Sequence, residues 1–190
     1  MRTKPLAFFA APALLFLLFH PSPGAVFAED VDKPQAKRQK IDQMASEALQ
    51  RLNADNSAAK GLFDGAYGYA VFSNIKVSLG VTGGGGTGVA VVKGTGNRTY
   101  MKMGTAGLNL GLGGQKYQVV FLFENKTVFN NFVEKGWEAE ASANAVAGKS
   151  GANAEATFRN GMAVYQLTDA GLMLQADIAG TKYWKSKKLN

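Results

Sequence analysis

The chain has 190 residues, of which 46% are hydrophobic and 18% are charged, and its formal net charge at pH 7 is +7. This length and composition fit one globular domain with a substantial core. Because the chain has no cysteine and a single histidine, His20, disulfides, Cys-His nucleophilic pairs and cysteine-ligated zinc sites are excluded.

The first 28 residues have the three regions of a Sec-type signal peptide. A basic start with Arg2 and Lys4 precedes an almost wholly apolar stretch, residues 6–19, and Val26-Phe27-Ala28 supplies small residues at the −3 and −1 positions. We expect cleavage after Ala28, which leaves a mature domain of residues 29–190 in the periplasm of a Gram-negative bacterium. The alternative is an uncleaved anchor, but the apolar stretch is shorter than the ~20 residues of a spanning helix.

Cleavage would also remove His20, so the mature domain would contain neither histidine nor cysteine. Ser-His-Asp catalysis and the usual zinc sites are then impossible, and we predict a protein that is not an enzyme and holds no metal or cofactor. Glu138 and Glu140 would share one face of a strand, but two carboxylates alone need not form an acid–base pair. We interpret them as part of a solvated strand face.

Two glycine-containing segments look like phosphate-binding loops. Gly83-x-Gly85-x-x-Gly88 fits the dinucleotide fingerprint formally, but residues 89–92 predict a strand where that fingerprint requires a helix. Gly148-Lys149-Ser150 ends like a P-loop, yet Ala143 stands at the position of the leading glycine. We interpret them as a hairpin and a loop.

An amphipathic helix is predicted to begin near Lys33. Its apolar residues recur at the 3.6-residue period of a helix, and they are Ile41, Met44, Ala45, Ala48, Leu49 and Leu52. Residues 53–56 end this helix, and Ser57 is expected to cap a short second helix over residues 58–63.

The next sixty residues alternate in the manner of β-strands and are rich in glycine. We predict six strands, at residues 67–72, 76–81, 88–93, 99–103, 107–112 and 117–123. Glycine within a strand marks a bulge, a bend or a close backbone approach. The sequence therefore predicts a single α+β domain, in which an amphipathic helix precedes a strongly curved antiparallel or barrel-like sheet with a few packing helices.

The last third combines one helix with further strands. A helix is predicted over residues 127–135 and ends at Gly136. Residues 137–156 are rich in alanine. Alanine at every second position favours a strand, whereas the high helix propensity of alanine favours a helix. We prefer the strand. A hairpin is expected from strands at 163–167 and 172–178.

The ordered set of these motifs resembles the SYLF family, over residues 45–184. The resemblance rests on Gly68-Tyr69-Ala70-Val71-Phe72, the glycines of 83–88, Gly113-Gly114-Gln115, residues 119–123 with Phe129 and Phe132, Ala147-Gly148, Gly171-Leu172 and Tyr183-Trp184. It implies a compact α+β domain that binds membrane phospholipid. Some eukaryotic relatives, with the Ysc84-like form of the domain, also bind actin, which an exported bacterial protein would not meet. Ser73 departs from the proline that many relatives place there.

Two basic segments could bind anionic lipid headgroups. The first precedes the apolar stripe of the first helix and contains Lys33, Lys37, Arg38 and Lys40. Basic residues near an anionic membrane contribute about 1 kcal/mol each. The alternative is that the stripe packs into the core and the lysines are only solvated.

The second segment lies near the carboxyl end, where aromatic residues and lysines alternate. It contains Lys182, Tyr183, Trp184, Lys185, Lys187 and Lys188. Tyrosine and tryptophan favour the headgroup region of a membrane, and we expect these residues to follow the last strand. The alternative is a basic tail with both aromatic rings packed against the edge of the domain.

The predicted partner is thus an anionic phospholipid surface, to which the protein would bind peripherally. The basic charge could also indicate nucleic acid, but export argues against it, and the aromatic residues lie in apolar strands rather than between basic residues. A structural or stress-linked envelope protein, acting through protein contacts with weak lipid binding, is the alternative function.

Overall fold

The computed structural model describes residues 28–139, 157–169, 171–173 and 180–190. The predicted signal peptide lies outside these residues except for Ala28, so its cleavage stays a prediction. The elements in chain order are α1 (Ala28–Asp55), α2 (Ser57–Gly65), β1 (Gly68–Val92), β2 (Arg98–Phe123), α3 (Lys126–Lys135), β3 (Trp137–Ala139), β4 (Met162–Thr168), β5 (Gly171–Met173) and β6 (Thr181–Lys185).

β1 and β2 form one long antiparallel ribbon, from Gly68 opposite Phe123 to Val91 opposite Arg98. The other edge of β2 carries two strands: β6 pairs with its first half and β4 with its second. β3 extends the sheet beyond β6, and β5 extends it beyond β4, again antiparallel. The predicted α+β class with a curved antiparallel sheet is confirmed.

The sequence predicted three separate strands where β1 is continuous and three more where β2 is continuous, and this prediction was wrong. The polar and glycine-rich segments between the predicted strands stay extended because each one has a hydrogen-bonding partner in the opposite strand. Strand propensity is easily overridden by such pairing.

The ribbon bends sharply near its middle, where the pairing register shifts between Leu79 and Gly80. The two halves of β1 then lie against each other: a Cβ on Gly86 would overlap the carbonyl oxygen of Ser73, and one on Gly84 would lie 2.7 Å from that of Ile75. Real side chains do not approach so closely. The glycines therefore permit the close backbone approach that the sequence indicated.

Two apolar cores lie on opposite faces of the sheet. Val71 contributes to the core beneath α1 and α2, whereas its neighbour Phe72 faces α3. The first core takes the helix stripe predicted from the sequence, with Ile41, Ala45, Ala48, Leu49 and Leu52 all buried. The stripe of α1 is thus part of the fold, as the alternative interpretation had it.

The remaining local predictions hold in part. The side chain of Asn56, not that of Ser57, caps α2 by accepting a hydrogen bond from the backbone N–H of Ala59 at 2.8 Å. α3 ends at Gly136, which has a φ of 74°. The strand preferred for residues 137–156 is seen at Trp137–Ala139, and its remainder lies outside the described residues, as does the end of the predicted strand at 172–178.

Candidate membrane-binding surface

The two predicted basic segments, which are far apart in the sequence, are joined by one hydrogen bond. The Nε of Arg38 donates to the carbonyl oxygen of Leu189 at 2.8 Å, and its guanidinium lies 5.7 Å from the centre of the Tyr100 ring. Leu189 itself is buried in the core beneath α1. The basic stretch of α1 and the end of the chain therefore belong to one surface.

The end of the chain is fixed along the start of β2 by Asn190. Its side-chain oxygen accepts from the backbone N–H of Tyr100, and its side-chain nitrogen donates to the Tyr100 carbonyl, both at 2.8 Å. These bonds reproduce the pairing of a β-ladder. They hold Lys187 and Lys188 in a defined turn beside α1.

We call the exposed cations of this surface the terminal basic patch: Lys37, Lys40, Lys187 and Lys188, together with the half-buried Arg38. Neither residues 33–40 nor residues 185–190 contain a carboxylate side chain. The neighbouring Asp42 is already engaged, because it accepts from the Tyr100 hydroxyl at 2.9 Å and lies 3.4 Å from the Nε of Arg98. Burial and the hydrogen bond to Asp42 raise the pKa of Tyr100. Lys33 is also exposed, one turn before Lys37.

The other residues of the second predicted segment lie in β6, so the expectation that they follow the last strand was wrong. Lys182 forms an ion pair with Glu138 at 3.0 Å, and Lys185 forms one with Glu134 at 2.9 Å. Their charges are thus balanced locally, unlike those of Lys187 and Lys188, for which the described residues provide no ion pair.

The two aromatic residues of this segment have different surroundings. Tyr183 is 1% exposed, and its ring centre lies 4.8 Å from that of Phe72, so it is a core residue rather than a headgroup contact. Burial raises its pKa well above the usual value. Trp184 is 44% exposed and lies over Gly104, beside a shallow groove that Trp137 also lines.

Sequence reasoning missed an apolar surface on β1. Ile75, Val77, Leu79 and Val81 are 57%, 46%, 74% and 65% exposed. Their alternation with polar residues predicted a strand over residues 76–81, but no exposed surface was inferred from it.

Within the described residues, no group of three or more histidine, cysteine, aspartate or glutamate side chains could hold a metal ion. No helix in the described part of the chain is long and apolar enough to cross a membrane.

The chain is similar in sequence to known proteins. Residues 104–190 match the model of the Ysc84 family, described as "Las17-binding protein actin regulator". The chain is also 51% identical, over 149 residues, to "Beta cell expansion factor A" of Aeromonas veronii. The match includes 78% of this chain but only 57% of that relative's length. These matches show a Ysc84 (SYLF) domain over residues 104–190 of the chain.

Proposed function

We propose that this protein is a non-catalytic, peripheral membrane-binding protein of the periplasm that recognises anionic phospholipid headgroups. The observation that supports this function best is the hydrogen bond between Arg38 and Leu189, because it unites two cationic segments into the terminal basic patch. Near an anionic membrane, four exposed lysines contribute about 4 kcal/mol in total. That energy suits reversible, salt-dependent binding.

The SYLF family is linked to both lipid and actin, as the description of its family model indicates for actin. Lipid is the partner proposed for this chain, because the proposed export would separate it from actin. The patch is also a surface rather than a pocket: its lysines are exposed on a helix and a turn. An extended, charged surface such as a membrane suits exposed lysines of this kind better than a small ligand does.

Vesicle co-sedimentation tests the proposal. The purified protein is mixed with vesicles of phosphatidylcholine alone, or of phosphatidylcholine with phosphatidylglycerol, at low and at high salt. We expect binding to the anionic vesicles only, and weaker binding at high salt, because exposed charges are screened over about 8 Å at physiological ionic strength. Equal binding to both vesicles would contradict the recognition of anionic headgroups, and no binding to either would favour an envelope protein that acts through protein contacts.

The location is tested separately. Cell fractionation of a Gram-negative host should find the protein in the periplasm, and sequencing of its amino terminus should begin at Glu29. A cytoplasmic protein that retains Met1 would overturn the proposed location without changing the vesicle experiment.

A further inference from the structure

At the bend of the ribbon, apolar side chains are exposed and polar side chains are buried. We call Ile75, Val77, Leu79 and Val81 the apex residues; all four side chains are exposed. The residues between and beside them are buried although they are polar, and they include Asn74, Ser78 and Thr82. A sheet of a water-exposed protein normally has the opposite arrangement.

Hydrogen bonds on the inner side hold the strand with its polar side chains inward. The Nδ2 of Asn74 donates to the hydroxyl of Tyr117 at 2.6 Å, and the hydroxyls of Ser78 and Thr82 lie 2.9 Å apart. Turning the strand over would break these bonds and expose the side chains of Asn74, Ser78 and Thr82. Because successive residues of a strand face opposite sides, the apex residues must then face outward.

The apex continues the sheet face that α1 covers elsewhere. Val71 and Val89, at the same alternating positions of β1, are 0% and 1% exposed in the core beneath α1. The apex residues do not belong to that core, so this helix leaves them uncovered. The result is an exposed apolar strip on the face whose other end packs against α1.

The charge around this strip indicates what covers it. Residues 65–123 contain no aspartate or glutamate, so the ribbon has no carboxylate side chain beside the apex residues. Lys116 is exposed and stands directly opposite Ile75 in the ribbon. A second copy of the chain, packed through this strip, would bring its own Lys116 to the same surface. An anionic lipid bilayer instead offers acyl chains to the apolar strip and phosphate groups to Lys116.

We infer that the apex residues insert into the headgroup–acyl boundary of an anionic bilayer. This inference rests on the proposed function and adds an apolar contact, distinct from the terminal basic patch. The depth is limited by the backbone: β1 pairs only with β2 in the described sheet, so its other edge must stay within reach of water. Insertion to the boundary satisfies this requirement, whereas spanning would not.

The apex variant replaces all four apex residues with threonine (I75T, V77T, L79T, V81T). Threonine keeps the β-propensity of the strand, and circular dichroism with a melting curve verifies the fold. We expect the partition coefficient onto anionic vesicles to fall at least tenfold. Because the lost contact is apolar, that ratio to the unchanged protein should persist at high salt, where binding through lysines is screened.

A second measurement locates the contact directly. Since the chain has no cysteine, Leu79→Cys gives a single attachment point for an environment-sensitive fluorophore, and Asn130→Cys on the exposed side of α3 gives the matched control. With anionic vesicles, the label at position 79 should shift to the blue and brighten, whereas the label at position 130 should not.

The outcomes separate the two proposals. If the unchanged protein binds anionic vesicles but the label at position 79 does not respond and the apex variant binds equally well, the apex inference is overturned and the proposed function stands. If the unchanged protein does not bind these vesicles, both fail. If it is a dimer in solution and the apex variant is a monomer, the strip is a protein interface and the inference is overturned.

Discussion

Arg38 and Leu189 are 151 positions apart in the chain, yet the Nε of Arg38 lies 2.8 Å from the carbonyl oxygen of Leu189. This hydrogen bond places the basic stretch of α1 beside the last turn. It also divides the second predicted segment, because Lys187 and Lys188 join α1 while Lys182 and Lys185 remain in β6 with carboxylate partners. Charges that are adjacent in sequence therefore have different surroundings.

The first prediction follows from this division and compares two variants with equal loss of charge. Lys187→Gln with Lys188→Gln should weaken binding to anionic vesicles about 30-fold, since each lysine contributes about 1 kcal/mol. Lys182→Gln with Lys185→Gln should weaken it less than about threefold, because Glu138 and Glu134 already balance these two charges locally. Co-sedimentation titrations measure both. Equal losses would show that the terminal basic patch has no special role.

The second prediction concerns the bend of the ribbon. Gly86→Ala should lower the free energy of unfolding by about 3 kcal/mol or more, because the new methyl group would overlap the backbone of Ser73. Gly85→Ala is the matched control: its methyl group would lie 3.6 Å from the Met103 carbonyl oxygen, an ordinary contact. Denaturant unfolding compares the two. Similar stabilities would mean that the halves of β1 do not pack as described.

The third prediction tests the cap of α2. Asn56→Ala removes the oxygen that accepts from the N–H of Ala59, so the free energy of unfolding should fall by about 1 kcal/mol. In a domain of this size that corresponds to about 2–4 °C in melting temperature. Ser57→Ala, one residue further on, should change it little. A larger effect at Ser57 would restore the cap expected from the sequence.

The fourth prediction concerns alkaline pH. Burial raises the pKa of Tyr165 from 10.0 to about 12, and its hydroxyl has no hydrogen-bond partner among the described residues. The folded state therefore favours the neutral phenol. The resulting stability is complete below pH 10 and is lost as the pH rises through about 12.

Tyr165→Phe removes both this titration and the unpaired buried hydroxyl. We expect the variant to be more stable by about 1 kcal/mol at neutral pH and to lose less stability between about pH 10 and about pH 12. Unfolding curves at several pH values measure the difference. A less stable variant would indicate that the hydroxyl has a partner.

The helices could be predicted from sequence because their signals are local. The stripe from Ile41 to Leu52 repeats at the helical period, and Gly136 ends α3 through its own backbone. The cap of α2 shows the limit of such signals: Asn56 and Ser57 are both good capping residues, and only the backbone geometry decides between them.

The ribbon and the candidate surface depended on contacts that no local pattern contains. Alternation gives the period of β1 but not the face that α1 covers, so the exposure of Leu79 could not be inferred. The ion pair between Lys182 and Glu138 follows from the pairing of β3 with β6. Likewise, nothing near Arg38 in the sequence indicates that the end of the chain lies beside it.

The antiparallel pairing of β1 with β2 starts at the turn that connects them, and this determines the order in which the sheet can fold. The turn at Gly96, which has a φ of 72°, lets the ladder close from Val91 opposite Arg98 outward, with only a small loop-entropy cost at each step. Gly86 meets Ser73 only after both halves of the ribbon exist. Its contacts are therefore absent from an early transition state, and a side chain there accelerates unfolding more than it slows folding.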